Sequence, residues 1–213
     1  MEEAYIINDY CIIREGSLVL NGKLLFTGNE DSPAALFTSI YRNFNLGYAK
    51  FFKMDNLCKL GFLASEFLLR DKDLSRLYPG NEVGLVLSNA GSSIDTDRNH
   101  QRTIADREDY FPSPSVFVYT LANIVIGEIC IRHKLFGESI FLIEKDFNPE
   151  RIVTYAKQLL DDQLAKSCIT GWVEMNGDHY EAVLYFVQKS VGYKAGIAIF
   201  EPGKLSDIYM QRI

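Results

Sequence analysis

The chain has few of the residues that mark metal, redox or nucleic-acid chemistry. Its four cysteines, Cys11, Cys58, Cys130 and Cys168, are far apart and form no CxxC pair. That spacing argues against a zinc ribbon or a dithiol redox site. Each sits in an apolar setting (CII, NLCKLGF, EICIR, SCITGW), so buried, reduced, structural thiols are expected. The three histidines, His100, His133 and His179, carry no ligand spacing, and neither a metal nor a cofactor is expected. The net charge is −6 and no run of Lys or Arg occurs. A nucleic-acid partner therefore has little electrostatic support, and an anionic membrane surface has none. The longest apolar run, 116–131, spans about 16 residues with polar interruptions, where a membrane span needs roughly 20. The opening MEEAYIIND is acidic and lacks a charged-then-apolar leader, so a cytoplasmic location is expected.

What is present reads as an α/β chain. With 213 residues, 47% hydrophobic and 23% charged, it can bury a sizeable core, and one domain over 1–213 is expected. Residues 4–14 suggest a strand. Apolar runs either side of Asn21-Gly22 predict a hairpin, because that dipeptide suits a turn with two positive φ angles. Asp31-Ser32-Pro33 opens a short helix to about 44, and Asp55 opens a longer one to about 70. Residues 82–87 are apolar without alternation, which predicts a strand covered on both faces. The polar stretch 94–110 reads as an exposed excursion. Ser113-Pro114 then opens a helix to 134 that is apolar nearly all round, with Arg132, His133 and Lys134 suiting its C-terminal dipole and Gly137 as a stop. Such a helix should be the most buried element. A strand at 139–143, a helix from Asn148-Pro149-Glu150 to about 166, a hairpin of 168–175 with 179–188, and a strand at 196–200 complete the chain. The pattern predicts a mixed sheet of about five strands with helices on both faces.

Several motifs share an order. Ser113-Pro114, Asn123, Gly127, Ile131-Arg132 and Gly137 follow one another along the apolar helix. FFKMD precedes the helix at 55, and VGLVLSNAGSSIDTD covers 83–97. As an ordered set over about 50–190 they resemble the β-ketoacyl synthase branch of the thiolase-like family, in its N-terminal half. The resemblance implies a thiolase-like half fold with a central buried helix. It also implies a nucleophilic cysteine at a helix start, which counting from Gly137 places near Asp146. Residues 144–148 hold no cysteine, serine or threonine. The family's second half supplies two histidines and a lysine, and no histidine follows Gln188. No catalytic residue is therefore assigned, and Asp146 reads as an acid complementing the helix dipole. In complete members the helix after the nucleophile is sandwiched between two sheets. Here Ile152, Val153, Ala156, Leu159, Leu160 and Leu164 make one stripe, and Glu150, Arg151, Lys157, Gln158, Asp161 and Asp162 make a polar face.

The resemblance points to a non-catalytic accessory protein of fatty acid, polyketide or polyene-type biosynthesis. Its partner would be a ketosynthase or an acyl carrier protein. A homodimer, or a heterodimer with a full-length ketosynthase, would form through 139–144, whose uncharged run 140–143 makes an unprotected edge. The alternative is an acyltransferase or thioesterase acting on acyl thioesters with non-standard residues, such as His133 or His179 with an acid. A stand-alone binding protein unrelated to acyl chemistry is the third reading. Asn89-Ala90-Gly91 is glycine-containing but lacks the strand–glycine–helix spacing of a phosphate cradle. Asp95, Asp97, Asp106, Glu108 and Asp109 read as a solvated acidic loop rather than a cation site. Glu174 and Asp178 flank the second hairpin and read as surface residues.

Overall fold

The computed structural model describes residues 4–70, 72, 74–108, 110–190 and 196–211. Its first strand, β1 (Tyr5–Arg14), is followed by the expected hairpin of β2 (Ser17–Leu20) and β3 (Lys23–Thr27). Asn21 and Gly22 both take left-handed backbone, with φ of 52° and 79°, as that turn requires. β4 (Val83–Asn89), β5 (Ser139–Ile143), β6 (Ser167–Asn176), β7 (His179–Lys189) and the two-residue β8 (Ala198–Ile199) follow. All eight join one mixed sheet in the order β3-β2-β1-β7-β6-β4-β5, with β8 on β1. β4 runs parallel to β5 and β6, and the remaining pairs are antiparallel. The sheet is larger than the expected five strands because β1 pairs along β7 and draws the N-terminal hairpin in with it. Every residue of β4 is buried, as its unbroken apolar run predicts.

Helices cover both faces. On one lie α1 (Pro33–Asn43) and α2 (Asn56–Leu69), capped by the Ser32 and Asp55 side chains. The short α3 (Leu74–Leu77) and the polar α4 (Ile94–Ile104) come next. Residues 94–104 are thus helical, and the exposed excursion is confined to 105–108 and 110–112 among the described residues. On the other face lie α7 (Pro149–Asp161) and α8 (Pro202–Tyr209). Ile152, Ala156 and Leu160 of α7 and Leu205 of α8 meet Val86, Val183, Tyr185 and Phe200 there. The Asn148 side chain caps α7 by accepting from the Arg151 amide at 3.1 Å. The outer face of α7 is open, with Glu150, Arg151, Gln158 and Asp161 all exposed. Leu164 falls beyond α7 and is exposed, so it leaves the predicted stripe.

The helix expected over 114–134 is two helices. α5 (Pro114–Phe117) is one turn, and α6 (Ile124–His133) begins after an irregular 118–123 and ends at Lys134 in left-handed backbone. Ser113 does not cap α5, since its hydroxyl lies 3.1 Å from that of Ser115. Nor is this stretch buried on all sides. Val125 and Ile129 pack inward, while Phe117, Leu121 and Ile131 are 60%, 59% and 60% exposed. The buried helix is α2, with eleven of its fourteen residues buried. It lies on β1, β6 and β7, flanked by α1 and α6. At Gly61 a Cβ would come within 2.3 Å of Val125 Cγ2, so the bare glycine sets the approach of α2 and α6.

Candidate functional site

In a sheet with parallel strands, ligands gather beyond the carboxyl ends of those strands. Here the loops after β4 and β5 meet the end of β6, the start of β7 and the end of α8. Together they line an open cleft of about 470 Å³. Asp146 stands in its rim on the exposed loop between β5 and α7, and His179 faces the same cleft from the start of β7. His133 does not, so the structure brings together only one of the two candidate histidines and Asp146.

Two buried carboxylates form the cleft floor. Glu174 on β6 is register partner to Glu181 on β7. Both are buried, so Glu174 is not the surface residue its hairpin position suggests. Glu174 Oε2 accepts from the backbone N–H groups of Ala90 and Gly91 at 2.6 and 3.1 Å. The amides of this glycine loop are therefore already taken by a carboxylate. Glu181 accepts from the Tyr209 hydroxyl at 2.6 Å, and Arg14 lies 3.9 Å from its other oxygen. Burial raises the Tyr209 phenol above its ordinary range, and the bond to Glu181 adds to this. Tyr209 stacks on Phe147, with ring centroids 4.2 Å apart. Arg14 fixes the end of α8 by donating to the Tyr209 carbonyl at 2.7 Å. No thiol and no aliphatic hydroxyl lines the cleft among the described residues. Nothing in the linear sequence brings Arg14, Glu174, Glu181 and Tyr209 together; only the β1–β7–β6 register and the return of α8 do.

The motif residues near α6 are bound up in structure. Arg132 grips Glu66 of α2 with two bonds of 2.6 and 2.8 Å, and its guanidinium lies 5.0 Å from the Tyr48 ring centre. Of FFKMD, Phe51 is fully buried and stacks on Tyr41, while Asp55 caps α2 and accepts from the Thr96 hydroxyl at 2.6 Å. His133 Nε2 lies 3.3 Å from Ser65 Oγ and 3.4 Å from Glu66. The trio resembles a hydrolase triad in composition only. Ser65 is fully buried and donates its proton to the Phe62 carbonyl, so no substrate reaches it.

Burial pushes the His133 imidazole down to about 4, against the attraction of Glu66 and with a smaller push from Arg132. An unfolded imidazole titrates near 6.5, so the neutral ring contributes full stability above that pH. That contribution is lost as pH falls from 6.5 through 4, on the order of 3 kcal/mol in all. His133→Gln is expected to lose less stability than the parent between pH 7 and pH 4.5 in urea melts. Equal losses in the two proteins would refute this assignment.

Of the cysteines, Cys11, Cys58 and Cys168 are buried and Cys130 is half-buried. Burial raises all four thiols, Cys168 to about 12 and Cys130 to about 11, so none is a ready thiolate. Asp95 accepts from the Gly177 amide and pairs with Arg98, Asp97 approaches Ser93, and Asp106 accepts from the Glu108 amide. Asp109 lies outside the described residues. Among the described residues no set of three metal-ligating side chains converges, and no helix is long and apolar enough to cross a membrane.

The parallel β4–β5 and β4–β6 pairs, the helices on both faces and the cleft ahead of α7 define a thiolase-like α/β fold of the ketosynthase kind. The ishigamide ketosynthase/chain length factor superposes with a TM-score of 0.64 at 16% identity, covering 90% of this chain and 63% of that one. A type II polyketide synthase acyl-carrier protein in complex with its ketosynthase, bound to the hexaketide, gives 0.60 at 12%, with 88% and 63% covered. A ketosynthase in complex with its chain length factor from Xenorhabdus doucetiae gives 0.52 at 12%, with 89% and 80% covered. The chain thus spans about three fifths of the length of the first two, and at these identities the likeness is one of fold. No protein-family model matches the chain, and no curated protein matches it in sequence.

Proposed function

We propose that this chain is a non-catalytic, ketosynthase-like accessory subunit of fatty acid or polyketide-type biosynthesis, acting by pairing with a ketosynthase or an acyl carrier protein. One observation carries the reading. Where the resemblance places a nucleophilic cysteine, the loop ahead of α7 offers Asp146, an exposed carboxylate, and among the described residues the surrounding cleft offers no thiol or aliphatic hydroxyl. A carboxylate is a poor nucleophile toward a thioester. The charged outer face of α7 adds support, because burying it unpaired against a second sheet would be costly. The sheet ends at β5, an apolar edge suited to strand pairing with a partner subunit.

Purified protein given acyl and malonyl thioesters is expected to form no 3-ketoacyl product and no acyl adduct in intact mass spectra. A 3-ketoacyl product with no other synthase present overturns the reading. The alternative, an acyltransferase or thioesterase with non-standard residues, is favoured only by Asp146 and His179 sharing one cleft. Thioester turnover that disappears in His179→Ala would decide for it.

A further inference from the structure

β5 is an edge strand, and its hydrogen bonding fixes how it can be paired. The Glu138 carbonyl accepts from the Leu85 amide at 3.0 Å, and the Glu144 amide donates to the Asn89 carbonyl at 2.9 Å. Backbone groups alternate in direction along a strand. The even-numbered residues 138–144 therefore turn toward β4, and Ser139, Phe141 and Ile143 turn their amides and carbonyls outward. In that stretch Ile143 is 54% exposed.

A second copy pairing antiparallel about a two-fold axis uses all three outward residues in only one register. Phe141 then opposes its own copy, and Ser139 opposes Ile143. The same register sets Glu138 directly opposite Glu144, and symmetry makes that contact twice. Like charges directly opposite on one sheet face destabilise a pair. Glu144 has a local counter-ion in Arg151, 3.0 Å away, but Arg151 and Glu138 are both exposed. Each copy therefore brings two acids and one base to the seam. Lys145 falls opposite Gly137 and offsets neither acid.

Resting on the edge-pairing reading above, we propose that β5 is selected against its own copy, and that Glu138 and Glu144 favour a different subunit whose edge strand carries basic side chains opposite them. The apolar run supplies the attraction and the two acids supply the discrimination. The exposed large apolar side chains of 110–143, among them Phe111, Phe117, Leu121 and Ile131, belong to the same stretch of chain.

Light scattering and sedimentation of the full chain test this. The parent alone is expected to be monomeric. Glu138→Lys turns both like-charged contacts into attractive ones, and self-association should tighten about tenfold. High salt should erase that gain, and so should Phe141→Lys added to the variant. A copy carrying E138K and E144K stands in for a basic partner and should form a mixed dimer with the parent. If the parent is already a dimer that Phe141→Lys dissociates, and E138K does not tighten it, the edge pairs with itself. The charge inference is then wrong while the edge reading stands. If neither E138K nor Phe141→Lys changes any mass and no mixed dimer forms, the edge reading falls and the inference with it.

Discussion

Gly171→Ala is expected to leave little folded protein. Gly171 lies mid-strand in β6, between β7 and β4, at a φ of 149° that side chains rarely adopt. A Cβ there would fall 2.0 Å from the Val183 carbonyl oxygen, which belongs to the neighbouring strand and cannot rotate away. Relief requires β6 and β7 to part where both are fully buried. Backbone strain and overpacking together put the cost at about 4 kcal/mol or more, a large share of a domain's stability. The next residue, Trp172, lines the cleft, so a tolerated variant would also shift the site. Soluble yield and thermal melting check this. A variant melting within about 2 °C of the parent would show that the strands part cheaply and that the glycine is dispensable.

Lys50→Met is expected to be strongly destabilising for a change at a partly exposed charged residue. Lys50 Nζ lies 2.7 Å from Glu128 Oε2, and the Tyr119 hydroxyl donates to Glu128 Oε1 at 3.0 Å. The Glu128 side chain is only 5% exposed, whereas that of Lys50 is 39% exposed. Removing the lysine leaves a buried carboxylate with a single neutral donor. Breaking one side of a buried pair costs roughly 3–5 kcal/mol, and the partial exposure of Lys50 lowers the expectation to about 2–3 kcal/mol. Adding Glu128→Gln should restore at least half of the loss, because the stranded charge is then gone while the Tyr119 contact can persist. Denaturant midpoints of the two single variants and the double variant give the coupling. Additive losses would show that the two side chains do not act as a pair.

Local chemistry is legible in the residues themselves. Asn21-Gly22 specified its hairpin because two positive φ angles are needed there. Ser32, Asp55 and Asn148 each accept a bond from an amide within their own first turn, so each helix start is written in adjacent residues. The stripe of α7 through Ile152, Val153, Ala156, Leu159 and Leu160 reads directly as its buried face. The unbroken apolar run of β4 likewise reads as a strand covered on both sides.

The stretch 114–134 shows where composition stops informing. An apolar residue reports that water is disfavoured around it, not which surface covers it. Val125 and Ile129 are covered by α2, whereas Phe117, Leu121 and Ile131 are left open in the single chain. Pairing of distant segments was equally silent. Glu174 looked like a surface acid from its hairpin position, yet the β4 loop folds its amides onto it.

The sequence by itself determined the N-terminal hairpin, the strand character of β4, the starts of α1, α2 and α7, the absence of a nucleophile at 144–148, and the polar outer face of α7. All of these depend on residues within one or two turns of each other. Only the tertiary structure decided that β1 to β3 join the main sheet, that α2 rather than 114–134 is the buried helix, and that Arg14, Glu174, Glu181 and Tyr209 floor one cleft. Those depend on strand register and on the return of the chain end. Contacts between residues up to about two hundred positions apart, such as the bond from Arg14 to the Tyr209 carbonyl, are set by the packing of the whole core and leave no local signal.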